Sequence, residues 1–144
     1  MKNCTVFFVL LCCVSFLNGC GRLLLSDKEI DTYSKMHYPR TVALPVEDLD
    51  IVATQSRTEL TLNNRSAHAF RHVDLWINQE YVTRVDEIKI GESSTNVIEL
   101  GVFINKHSES YPVGGFLTPD RAFPVIIVEL FDPATGKKYR LLSR

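Results

Sequence analysis

Hydrophobic and polar positions divide the chain into three regimes. The first is an apolar run over residues 5–16, with Val6, Phe7, Phe8, Val9, Leu10 and Leu11 at its centre and Lys2 ahead of it. At about 12 residues it falls short of the roughly 20 that a helix needs to cross a hydrocarbon core. A basic start, an apolar stretch and small residues after it are the order of a secretory signal peptide. The second regime, 21–45, is mixed. Ser26-Asp27-Lys28-Glu29 fits a capping box, with Leu25 and Ile30 placed as a hydrophobic staple, so the spacing predicts a short helix over 27–36. Its apolar stripe, Ile30, Tyr33 and His37, is narrow, and the helix should lean on a domain or fray. Pro39 and Pro45 then punctuate the chain, leaving 41–44 as an edge segment at most.

From Asp50 onward the period changes to that of β-strands. Residues 51–53, 59–62, 72–78, 85–90, 95–100, 124–131 and 138–142 each read as a strand, separated by turn signals such as Asn63-Asn64, Gly91-Glu92, Gly114-Gly115 and Asp132-Pro133. Alternation nominates the core: Leu60 with Leu62; Val73 with Leu75 and Ile77; Ile88 with Ile90. The run Val125-Ile126-Ile127-Val128 is apolar on both faces, which predicts a central, doubly covered strand. That strand should pair with Tyr139 and Leu141 across the turn at 132–137. The pattern as a whole predicts an all-β, antiparallel sandwich of about seven strands over 50–144.

Composition adds limits to this picture. The chain has 144 residues and 45% hydrophobic content, enough for one folded domain. Its formal net charge of −1 becomes −2 when Lys2 leaves with the leader, which argues against a nucleic-acid binder. The one local basic excess, Lys137, Lys138, Arg140 and Arg144, reads as a solvated edge strand guarded against strand addition. All four cysteines, Cys4, Cys12, Cys13 and Cys20, lie in the first twenty residues. The folded region therefore has no structural disulfide, thiolate zinc site or cysteine nucleophile.

Two resemblances follow from these residues. Leu17-Asn18-Gly19-Cys20 resembles the lipobox of bacterial lipoproteins, in which the cysteine is lipidated and becomes the first residue of the mature protein; Asn18 is bulkier and more polar than the residues commonest there. The resemblance implies a signal peptide over 1–19, a lipidated N-terminus, tether and short helix over 20–49, and acyl chains, palmitate among them, on Cys20. Two or more chains give stable membrane anchoring where one does not. The alternative is ordinary signal-peptidase cleavage and a soluble secreted protein. Within the domain, residues 60–66, Val73-Asp74-Leu75-Trp76-Ile77-Asn78 with Tyr81, and 88–92 resemble the strand, turn and strand order of fibronectin-III-like or immunoglobulin-like modules, and similar stretches occur in small envelope lipoproteins of unknown function. This resemblance covers roughly 58–142, brings no catalytic residues, and lacks the cysteine pair of antibody domains.

Candidate chemistry is sparse. Trp76 lies out of phase with Val73, Leu75 and Ile77, on the face shared by His72, Asp74 and Asn78. Two readings stand: a second layer, with 23–38 as the candidate cover, buries it, or it forms an aromatic platform whose Asp74, Asn78 or Gln79 hydrogen-bond a sugar or a protein. His68 and His72 are four apart, a metal spacing only on a helix, whereas here they straddle a turn and a strand start. Asp86 and Glu87 point to opposite faces of a strand and make no acid/base pair. Ser93, Ser94, Ser108 and Ser110 lack a nucleophile-elbow setting. No cofactor or metal is implied.

The sequence therefore leads to a lipid-anchored cell-envelope protein facing an extracytoplasmic compartment, acting as a binding, scaffolding or assembly module and not as an enzyme. Its expected partners are the membrane, through Cys20, and an envelope protein or polysaccharide, with Trp76, Asp74, Asn78 and His72 as the candidate binding face. An envelope hydrolase, or a carbohydrate-binding protein using the Trp76 face, is the competing expectation.

Overall fold

The computed structural model describes residues 25–40, 47–93, 96–114 and 123–144. The lipobox at 17–20 and the edge segment expected at 41–44 lie outside the described residues. The expected helix forms as α1 (Asp27–Ser34), two residues shorter than its pattern. Ser26 accepts from the Glu29 N–H while the Glu29 carboxylate accepts from the Ser26 N–H at 2.8 Å, so two otherwise orphaned donors are satisfied reciprocally. The Ser26 hydroxyl, which donates to the Glu29 carboxylate at 2.6 Å, and then the Ser26 N–H lower the Glu29 pKa. At the other end the Met36 N–H turns back to the Tyr33 carbonyl, ending the helix before Pro39. No residue of α1 is buried, so packing adds little to what its cap supplies.

Seven strands follow: β1 (Glu47–Gln55), β2 (Glu59–Asn64), β3 (Phe70–Ile77), β4 (Tyr81–Ile88), β5 (Val97–Glu99), β6 (Val128–Asp132) and β7 (Lys137–Ser143). Each overlaps a run read as a strand from the sequence. Hydrogen bonds join them into one sheet in the order β4-β3-β6-β7-β1-β2-β5, antiparallel throughout except for β1 beside β7. The predicted hairpin is present, with Leu130 opposite Tyr139 and Gly136 in the left-handed conformation its turn requires.

The sheet curls into a half-barrel. Its two ends approach one another through chain that leaves the strands: Val82 of β4 and Ile104 exchange both backbone hydrogen bonds at 3.0 Å, and Asn64 at the end of β2 exchanges its pair with Gly91, just past β4, at 3.3 and 2.6 Å. The concave face holds the core. Ile51, Leu60, Leu62, Val73, Leu75, Ile77, Val128, Leu130 and Leu141 meet there with Leu100, Phe103 and Tyr111 from the segment after β5. Phe103 and Tyr111 thus add apolar surface to the core from outside the strands.

Three local expectations are corrected. Ile88 is buried, but Ile90 is 58% exposed, because β4 ends at Ile88 and Gly91 turns the chain at φ +78. The central strand begins only at Val128, and Ile126 is 66% exposed. Residues 123–127 are instead held by two side-chain amides. Asn78 Oδ1 accepts from the Ile126 and Ile127 N–H groups while its Nδ2 donates to the Pro124 carbonyl, and Gln55 accepts from the Val125 N–H and donates to the Phe123 carbonyl. These bonds satisfy the backbone that a ladder would otherwise pair. Finally, β7 is not an edge strand: it lies between β6 and β1, and Lys138 is buried.

A candidate binding groove on the outer face

Strand register assembles the site. Across β4, β3, β6 and β7, Val82 stands opposite Trp76, Trp76 opposite Glu129, and Glu129 opposite Arg140. One step along, Arg84, Asp74, Phe131 and Lys138 form a parallel row. Directly opposed residues share a face, so the convex side carries an aromatic ring and a set of charges where the concave side carries the core. A face of that composition needs a cover that can satisfy polar groups.

The segment after α1 supplies it through Tyr38. Its ring meets Trp76 edge to face, with centroids 5.4 Å apart. Its hydroxyl donates to Glu129 Oε2 at 2.5 Å and accepts from Lys138 Nζ at 2.9 Å, while the same ammonium stands 4.8 Å from the ring centroid. Gln79 Nε2 donates to Glu129 Oε2 at 3.3 Å, and Arg140 Nη2 approaches Oε1 at 3.9 Å. Burial, then the adjoining Glu129 carboxylate, pushes the Tyr38 phenol well above its ordinary range. The shift matches its geometry, in which the phenol O–H donates to the Glu129 carboxylate.

Trp76 is 3% exposed and Glu129 1% exposed, yet the Trp76 Nε1 and Glu129 Oε1 atoms have no hydrogen-bond partner among the described residues. Beside them a groove of about 550 Å³ opens between the segment 36–40 and the turn after β3. Its walls include His37, Tyr38, Arg40, Gln79, Glu80 and Lys106, with Trp76 and Asn78 also among the lining residues. The turn is shaped by Asn78 and Gln79, both in the left-handed region at φ +52 and +60, a conformation that asparagine tolerates better than most residues.

The four residues grouped on the candidate face have different fates. Trp76 lies under Tyr38, which is the covered arrangement and comes from within the segment 23–38, so its ring is not an open stacking platform. Asn78 reaches the groove but spends its amide on residues 124–127. Asp74 is buried and receives a 2.8 Å hydrogen bond from Arg84 Nε, the interaction that chiefly raises the Arg84 pKa. His72 is exposed near the start of β3, at φ +51 and 3.8 Å from Asp86. Cys20 lies outside the described residues.

His68 is exposed in a turn that the buried Asn64 side chain closes by bonding the His68 carbonyl and the Ser66 N–H and hydroxyl. Among the described residues there is no group of three or more His, Cys, Asp or Glu that could hold a metal, and no helix long and apolar enough to cross a membrane. Sequence reasoning missed Tyr38, Glu129, Lys138 and Arg140. A signal for Glu129 was present: it is the one acid inside an otherwise apolar run from Val125 to Phe131, the setting of a buried, partnered charge. No family model, curated protein or solved structure matches the chain.

Proposed function

We propose that this is a lipid-anchored cell-envelope protein whose β domain acts as a binding, scaffolding or assembly module. The observation that carries the reading is the leader ending at Leu17-Asn18-Gly19-Cys20, after which the chain has no further cysteine. Support from the structure is positional. The segment that follows Cys20 is fastened to the outer face at Tyr38, beside a solvent-open groove, so an anchored N-terminus would hold that face close to the membrane. Tyr38, Glu129 and Lys138 form a hydrogen-bonded latch that fixes this segment on the outer face.

On the same reading the half-barrel is an immunoglobulin-like sandwich. Strands β1, β2 and β5 occupy the places of A, B and E in such a module, and β4, β3, β6 and β7 those of C′, C, F and G. The register break in β1 between Leu49 and Val52 supports this, because it falls where that strand would pass from one layer to the other.

Replacement of Cys20 by Ala tests the anchor. Labelling with a fatty-acid analogue and membrane retention should both be lost; undiminished labelling removes the lipoprotein reading. Crosslinking in the native envelope tests the binding role, which fails if no adduct forms from the groove face. A concave site joining a serine to a histidine and hydrolysing an envelope substrate would favour the enzyme instead.

A further inference from the structure

The groove has a chemistry that selects among ligands. Arg40 and Lys106 on its walls have no ion-pair partner among the described residues, while Glu80 is the single carboxylate there. Beneath the walls the balance repeats, with Lys138 and Arg140 against Glu129. A chain of net charge −1 thus concentrates positive charge at one concavity, which favours an anion there. Trp76, whose buried Nε1 has no hydrogen-bond partner among the described residues, is also one of the lining residues. A bare anion leaves Glu80 unanswered. A carboxylate acceptor on the wall calls for ligand hydroxyl donors as well, and an oxyanion carried on a polyol meets both demands. The volume of about 550 Å³ lies within the range of roughly 300–1,000 Å³ usual for small-ligand sites.

We propose that the groove between residues 36–40 and the turn after β3 binds an acidic saccharide, its carboxylate held by Arg40 and Lys106 and its hydroxyls by Glu80 and Gln79. The proposal rests on the binding-module reading and gives it a substrate class. Trp76 is the only tryptophan in the chain, so its emission reports on the site.

The test is a fluorescence titration of the full-length chain with tetragalacturonate, neutral cellotetraose and inorganic phosphate. Tetragalacturonate should change Trp76 emission saturably, and cellotetraose should bind at least about tenfold more weakly. The double variant Arg40→Gln, Lys106→Gln should lose at least about tenfold in affinity, while Lys28→Gln, on the exposed face of α1, should not. Glu80→Gln should narrow the preference for tetragalacturonate over phosphate. The proposal is overturned by no saturable response through the millimolar range, by phosphate binding as tightly as tetragalacturonate, or by unchanged affinity in the double variant. Fatty-acid labelling at Cys20 and crosslinking from the groove face are read separately, so the saccharide assignment can fail while the anchored-module reading stands.

Discussion

At the scale of single residues, the outer face depends on one hydroxyl. Tyr38→Phe keeps the ring against Trp76 but removes the donor to Glu129 and the acceptor for Lys138. Leaving buried charged groups short of partners costs about 1–3 kcal/mol. The variant should lose stability of that order in urea titration, and a loss within error of zero would mean that the latch contributes nothing. Tyr111 offers a test on pH. Burial and the neighbouring Tyr81 push its phenol up to about 12, while its hydroxyl donates to the Phe123 carbonyl at 3.0 Å. The folded pKa lies above the unfolded value, so its contribution is fully present below pH ~10 and drains as pH rises toward ~12, by an amount on the order of 2 kcal/mol. The urea midpoint of the native chain should therefore fall more steeply over that interval than that of Tyr111→Phe. Parallel slopes would show that Tyr111 does not couple to folding.

At the scale of elements, α1 and residues 123–127 are stabilised by side chains binding backbone, with different reach. Ser26→Ala should cost about 1 kcal/mol of helix stability. Because no residue of α1 is buried, that loss should stay local: faster amide exchange over residues 27–34 with an unchanged melting temperature. A fall in global stability would show that the helix is docked more firmly than its burial implies. Asn78→Ala differs, because it removes three hydrogen bonds that bind 124–127 to the turn after β3. At about 0.5–1.5 kcal/mol each it should destabilise the domain by about 2 kcal/mol or more, seen in thermal unfolding. This contrast explains what the sequence made legible. Short apolar runs between turn signals located the strands, alternation marking those that bury one face, and the Ser26 to Glu29 spacing located the helix because a capping box is local. Residues 125–127 misled because their apolar run has the composition of a strand, while the partners that hold them, Gln55 and Asn78, are about 70 and 50 residues away. Lys138 misled for a related reason: the neighbours of β7 are set by topology, and its basic pattern alone resembles an edge.

At the scale of the whole molecule, the question is whether the N-terminal segment belongs to the domain or merely rests on it. Tyr38 contributes the aromatic contact to Trp76 and the hydrogen bonds to Glu129 and Lys138, and α1 before it is surface-laid. The concave core, in contrast, draws on strands and loops from Ile51 to Leu141 and on no residue of the segment 25–40. Removing the Tyr38 side chain should release the cover without unfolding the half-barrel. In Tyr38→Ala the single tryptophan should shift its emission to the red and become several-fold more open to acrylamide quenching, while far-ultraviolet circular dichroism keeps its β signature. The melting temperature should drop by about 4–8 °C for each kcal/mol lost from the latch. If quenching stays at the native level, Trp76 is shielded by the sheet itself and the groove has a wall that does not depend on Tyr38. If the β signature collapses, the segment after the anchor is an integral layer of the domain, and a pull on Cys20 would reach the core directly. Retained fold with an opened Trp76 would instead make residues 25–40 a releasable strap, placing the groove lined by Arg40, Lys106 and Trp76 under the control of whatever holds the N-terminus.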